Sequence, residues 1–174
     1  MRRISSLLAV LAAIAVGMGP SLTSNASSPY DRFVTGSYSF RFSGQDLANF
    51  PFGLNSQIAA VGVFTANGLG SITAGSLMLN DGGKLCTYTL TGGNYYVLAD
   101  GEGMLTLAPT GSTGTCLLVE PFEFYIAVGE IVSGVGQIVE LASSTFTTLS
   151  GSTSKVPVSG VAHFQAPAPV SSGP

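Results

Sequence analysis

Tryptophan is absent from the chain, histidine occurs once and cysteine twice, and only 9% of residues are charged, against about a quarter in an ordinary globular protein. Each shortage removes a class of function. Beyond the amino-terminal segment treated below, Arg32, Arg41, Lys84 and Lys155 stand against nine acidic residues, a net charge of −5. Nucleic acid is excluded as a partner, because a phosphate backbone is held by clustered Lys and Arg. Two Cys and one His, without Cys-x-x-Cys, make no metal-ligand set. There is no Gly-x-Ser-x-Gly and no glycine-rich loop followed by Gly-Lys-Ser/Thr, so neither a nucleophile elbow nor a phosphate cradle is present. No cofactor is implied. What the chain does have is glycine, 23 residues of it, with many Ser and Thr and a hydrophobic share of 45%. That composition suits an exported all-β protein.

The amino terminus has a leader's pattern. Met1-Arg2-Arg3 is basic, "ISSLLAVLAAIAVGMG" is an uncharged apolar run, and Gly19-Pro20 precedes the polar "SLTSNASS". Ser24-Asn25-Ala26 fits the small-x-small rule, so residues 1–26 read as a signal peptide cleaved after Ala26. The alternative, an uncleaved anchor, asks for about 20 apolar residues, and the run is shorter. The expected location is periplasmic, cell-envelope or extracellular. In an oxidising compartment Cys86 and Cys116 read as one disulfide, closing a loop that stabilises by roughly 3 kcal/mol in the chain-entropy picture.

Period-2 alternation dominates after Tyr30. Tyr38, Phe40 and Phe42 share a face in "SYSFRFS"; Cys86, Tyr88 and Leu90 do so in "CTYTLT"; Phe122, Phe124, Ile126 and Val128 do so in "PFEFYIAV". Such alternation marks half-buried strands. Eight are predicted, near 36–44, 57–67, 70–80, 84–99, 103–109, 116–129, 135–148 and 159–166, with a bend at Gly92-Gly93. Residues 27–35 read as a flexible amino-terminal segment and 167–174, "APAPVSSGP" in part, as a disordered tail. Short glycine-rich connections favour an all-β, eight-stranded antiparallel up-and-down barrel over 36–166, with a β-sandwich as the alternative.

One phrase occurs twice. Ala66-Asn67-Gly68-Leu69-Gly70 aligns with Ala99-Asp100-Gly101-Glu102-Gly103 at an offset of 33 residues. Asn-Gly and Asp-Gly are hairpin signals, because both residue types accept positive φ, and a following Gly suits a bulge. A calcium loop is the competing reading, but the first copy has no carboxylate. The repeat therefore reads as a turn device used twice.

Five residues are candidates for a ligand cavity: Arg41, Tyr88, Tyr125, Glu140 and His163. Glu140 shares strand parity with Ile138 and Ala142, which would aim it into a barrel, where a carboxylate needs a cationic or polar partner. Arg41 lies opposite the aromatic face of its strand and is expected in solvent if the aromatics pack inside. His163 is the one imidazole, and Tyr88 and Tyr125 could line a lumen. No residue is assigned a catalytic role. Several strands are apolar on both faces, as in "IAAVGVF", which points to self-association; an outer-membrane barrel would instead need a polar lumen and aromatic girdles.

The phrases "GSYSFRFSG", "AAVGVFTANGLGSITAGSL" and "GNYYVLADGEGMLTLAP" resemble those of a group of exported bacterial β-rich proteins of unknown function, over most of residues 36–166. The strand plan is also similar to barrels of the allene oxide cyclase and dirigent type, which often form trimers. The first resemblance implies a fold and no activity; the second carries over no catalytic residue. The function expected is a secreted, non-catalytic barrel that binds a small apolar molecule or acts at the cell envelope, with a homo-oligomer expected. The alternatives are a cyclase- or isomerase-like enzyme with a lumen site and a purely structural surface or outer-membrane barrel.

Overall fold

The computed structural model describes residues 27–46, 56–114, 118–119, 121–148 and 153–165. The leader with its cleavage site and the 167–174 tail lie outside the described residues. A 3-10 turn, η1 (Asp31–Phe33), precedes nine strands: β1 (Thr35–Asp46), β2 (Ser56–Asn67), β3 (Ile72–Asp81), β4 (Lys84–Val97), β5 (Glu102–Thr113), β6 (Leu118–Val119), β7 (Phe122–Val132), β8 (Val135–Thr148) and β9 (Thr153–Phe164). Pairing is antiparallel throughout, in the order β1-β2-β3-β4-β5-β7-β8-β9. Strand β9 returns onto β1, from Tyr38↔Phe164 to Gly44↔Val158, and closes the ring. The two-residue β6 pairs with β8 at Leu118↔Thr148, along the same strand that β7 joins at Tyr125↔Ala142. Strands β6 and β7 are thus two pieces of one strand, parted around Pro121, which has no N–H to give to a ladder. The molecule is a closed eight-stranded antiparallel barrel, and the sandwich alternative is excluded. Two predicted strands were drawn short: β5 runs on to Thr113, and β9 begins at Thr153 rather than near 159.

The lumen is built from the aromatic faces read in the sequence. Tyr38, Phe40 and Phe42 from β1, Phe64 from β2, Tyr88 and Tyr95 from β4, and Phe122 and Phe124 from β7 are all buried. Tyr38 stacks on Phe64 at 5.2 Å, Phe42 meets Phe124 at 5.2 Å, and Tyr88 stands edge-on to Phe122 at 5.6 Å. Ring pairs at these separations contribute about 0.5–1.5 kcal/mol each beyond their buried area. Leu77, Leu79, Leu105, Leu107, Val139 and Leu141 fill the space between them.

Strand β4 changes parity on the way. Its inward residues are Cys86, Tyr88 and Leu90 before Gly92-Gly93, and Tyr95 and Val97 after. Register shifts against β5 fall between Tyr88 and Gly92. Gly93 has φ +143°, and a Cβ there would run into the Thr106 carbonyl, so only glycine fits. The bend expected at this pair is therefore a bulge that turns Tyr95 into the core.

The segment 27–35, expected to be flexible, is instead a plug. Asp31 is buried, its Oδ1 accepting the Val97 N–H at 2.8 Å and its Oδ2 the Ser28 N–H at 2.7 Å. The Tyr95 hydroxyl donates to the Val34 carbonyl at 2.6 Å, and the Tyr38 hydroxyl donates to the Gly136 carbonyl at 3.0 Å, with the Phe33 carbonyl of η1 also within reach at 3.4 Å. These bonds hold η1 across one mouth of the barrel. They satisfy polar groups that would otherwise be costly to bury.

The twice-used phrase forms two turns at that same mouth. Asn67 Oδ1 accepts the N–H groups of Leu69 and Ser71, and Asp100 Oδ1 accepts that of Glu102. The two turns close differently: the backbone bond runs from Asn67 to Ser71 in one and from Leu98 to Glu102 in the other. The shared device is the side-chain cap, and in the second copy it already engages a carboxylate oxygen of Asp100.

Candidate functional site

The five candidate residues do not meet in the lumen. Tyr88 alone points inward, where it is part of the aromatic packing. Arg41, Tyr125, Glu140 and His163 are all on the outer wall and exposed. For Arg41 this is the outcome expected once the aromatics pack inside. For Glu140 it corrects the parity reading. Strand β8 is apolar on both faces, and the barrel takes Val139 and Leu141 inward, leaving Ile138, Glu140 and Ala142 outside.

On the outer wall the sheet register arranges three of the four. One row of partners crosses the barrel as Glu102, Ala127, Glu140, Val161, Arg41 and Val61. Glu102 and Glu140 are two strands apart, about 10 Å at the backbone, with the small Ala127 between them. The next row has Met104, Tyr125, Ala142, Ser159, Ser43 and Ala59. The small side chains of Ala127, Ala142, Ser159 and Gly160 leave a trough between larger neighbours. It is an open groove of about 400 Å³, with Tyr125, Glu102 and Glu140 among its walls. Tyr125 is 63% exposed, an unusual position for a ring with its packing area. A second depression of about 410 Å³ adjoins it, bordered by Arg41, Val61, Ser43 and Ala59 and sharing Ser159 and Gly160. His163 lies farther along β9, between Ser39 of β1 and Ile138 of β8, and borders neither depression.

The groove offers two carboxylates and a phenol around an apolar floor. Among the described residues, no three His, Cys, Asp or Glu side chains gather as a metal site would need. Glu102 is not among the five candidates; in the sequence it figures only as one of the two carboxylates of the second turn phrase, in the calcium-loop reading set aside above. Its place beside Glu140 depends on the β5–β7–β8 register, which a linear pattern does not contain.

No protein-family model matches the chain, and no curated protein matches it. Among solved structures the chain is similar to Rv2717c from M. tuberculosis, at 14% sequence identity and a TM-score of 0.39, over 80% of this chain and 99% of that one.

Proposed function

We propose that the protein is an exported, non-catalytic barrel that binds its ligand on the outer wall, in the groove walled by Tyr125, Glu102 and Glu140. The observation that carries this reading is the contrast between the two faces of the sheet. Inward positions are occupied by packed rings and leucines, while a large aromatic stands exposed over a floor of Ala, Ser and Gly. The ligand class follows from the lining: an apolar body to cover the floor and the Tyr125 ring, and a cationic group for the two carboxylates. An enzyme with a lumen site loses its basis, because that idea placed Glu140, Arg41 or His163 inside the barrel, and all three stand on the outer wall. A membrane-spanning barrel is disfavoured too. Its lumen should be polar and its outer band apolar, whereas here the aromatics are inside and Ser39, Arg41, Ser76, Thr87 and Thr89 face outward.

The test is a titration of the isotope-labelled exported protein with hexylamine and, separately, hexanol, followed by amide chemical shifts. Hexylamine is expected to perturb Tyr125, Ala127, Ala142 and Ser159. Glu140→Gln should weaken hexylamine about 1.5- to 5-fold, the scale of an exposed charge pair, and leave hexanol unchanged. Perturbations confined to lumen residues such as Tyr88 and Phe122, or none at all, overturn the reading.

The disulfide is part of the same proposal. Cys86 is buried, no free cysteine is found among the described residues, and Cys116 lies outside them. Register supports the pairing: Thr87 faces Thr113, and a Cβ on Gly114 would fall 2.6 Å from the Cys86 Sγ. The chain two residues before Cys116 is thus already against Cys86, within the reach that a disulfide allows.

A further inference from the structure

We propose that the plugged mouth of the barrel is a lipid-facing rim that rests on an uncharged phospholipid surface. Four of the large exposed aliphatic side chains stand in or beside three turns: Leu69 (68% exposed) and Leu98 (49%) within two of them, and Ile131 (47%) and Val132 (49%) at the end of β7, where it enters the third. The register places all three turns at one end. Thr35 opens β1 opposite Asn67, Ser71 bridges Asn94, Val97 faces Gly103, Glu102 faces Ala127, and Val132 faces Val135. The turns also touch one another, through the Tyr95 N–H to the Gly70 carbonyl and the Val128 N–H to the Gly101 carbonyl. A ring of aliphatic tips therefore surrounds η1.

Two further observations say what covers it. The first is the path of the chain. Ser27, the first described residue, is at this mouth, because η1 and β1 begin there. Only seven residues, 20–26, separate it from Gly19, the end of the uncharged run that starts at Ile4. The eight Cα-to-Cα steps from Gly19 to Ser27 span at most about 29 Å, so while the leader is attached and in a bilayer, this rim is held next to the same bilayer. The second is the form of the tips. Asn67 N–H to Ser71 O, Leu98 N–H to Glu102 O and Gly101 N–H to Leu98 O close the turns internally, so these donors already have partners when the side chains enter the interface. Charge selects the lipid. Asp100, Glu102 and Glu130 outnumber Arg32 at this end, which repels an anionic headgroup layer and leaves a zwitterionic one.

The experiment is flotation of the full chain, expressed with its own leader and recovered from the exported fraction, with phosphatidylcholine vesicles. The wild type is expected to float. The variant Leu69→Ser/Leu98→Ser/Ile131→Ser/Val132→Ser is expected to lose at least tenfold in partitioning. Val61→Ser/Val63→Ser/Met78→Ser, which alters exposed aliphatics on the side wall, is expected to float like the wild type. Phosphatidylserine in the vesicles should weaken binding. Near-ultraviolet circular dichroism checks that the variants are folded; if the fourfold variant is not, Leu69→Ser and Leu98→Ser must each show a partial loss. The proposal is overturned if the wild type does not float, if the rim variants float as well as wild type (retention by another surface), or if the rim instead drives vesicle-independent dimerisation. Failure of the amine titration has no bearing on this result, since the two surfaces share only Glu102.

Discussion

Two buried hydroxyls do much to hold the plug, and they make it sensitive to alkali. Burial pushes the Tyr38 phenol up to about 12, against a smaller opposing effect of a backbone hydrogen bond at Thr35, and burial likewise raises Tyr95. The unfolded chain ionises these groups near 10. Their neutral forms favour the fold, so their contribution is fully present below about pH 10 and is lost as pH rises through about 12. The urea midpoint is expected to fall across that window. Tyr38→Phe should flatten part of the fall while lowering stability at neutral pH by about 1–2 kcal/mol, because the buried Gly136 carbonyl loses its donor; a series of urea titrations against pH checks both. Neither effect is visible in the sequence, where Tyr38 reads only as one of three alternating aromatics. Asp31 is hidden for a similar reason: its partner Val97 is brought to it only by the closed fold, and "YDRF" has no local pattern to flag a buried carboxylate.

At the scale of elements, legibility followed the contrast between a strand's two faces. Strands β1, β4 and β7 alternate aromatic with Ser, Thr or charged residues, so the side chains that share a face are grouped correctly from sequence, although Tyr125, offered for the lumen, stands on the outer face of β7. Strand β8, "VGQIVELASS", has aliphatic residues at both parities, so nothing local says whether Glu140 or its neighbours turn in. Two of the tight turns are read from Asn-Gly and Asp-Gly. Between β7 and β8 a connection is expected at 130–134, but not the two-residue turn Ser133-Gly134. Both have positive φ, +52° and +81°, the geometry that Asn-Gly serves best. Ser133→Asn is expected to stabilise by up to about 1 kcal/mol, part of the roughly 1–2 kcal/mol that left-handed backbone costs an L-residue. A shift of the thermal midpoint without a change in fold checks it.

For the molecule as a whole, the covalent and hydrogen-bonded closures act on different parts of the ring. The proposed Cys86–Cys116 link would tie β4 to the chain leaving β5, and its reduction is expected to lower stability by about 3–4 kcal/mol, as the entropy of a loop of this length implies. Intact mass before and after reduction and alkylation, alongside urea titrations of the two forms, checks the pairing and its effect together. The other closure has no covalent bond: β1 pairs with β9, and Tyr38 lies opposite Phe164. The first strand to be synthesised therefore waits for the last. Contacts this distant in sequence make folding slow, and a chain that has not yet delivered β9 presents open edges on β1 and β8. The same topology that leaves the finished barrel without an edge keeps the nascent chain from finishing early, a useful property if, as we propose, the polypeptide is threaded through a membrane before it folds.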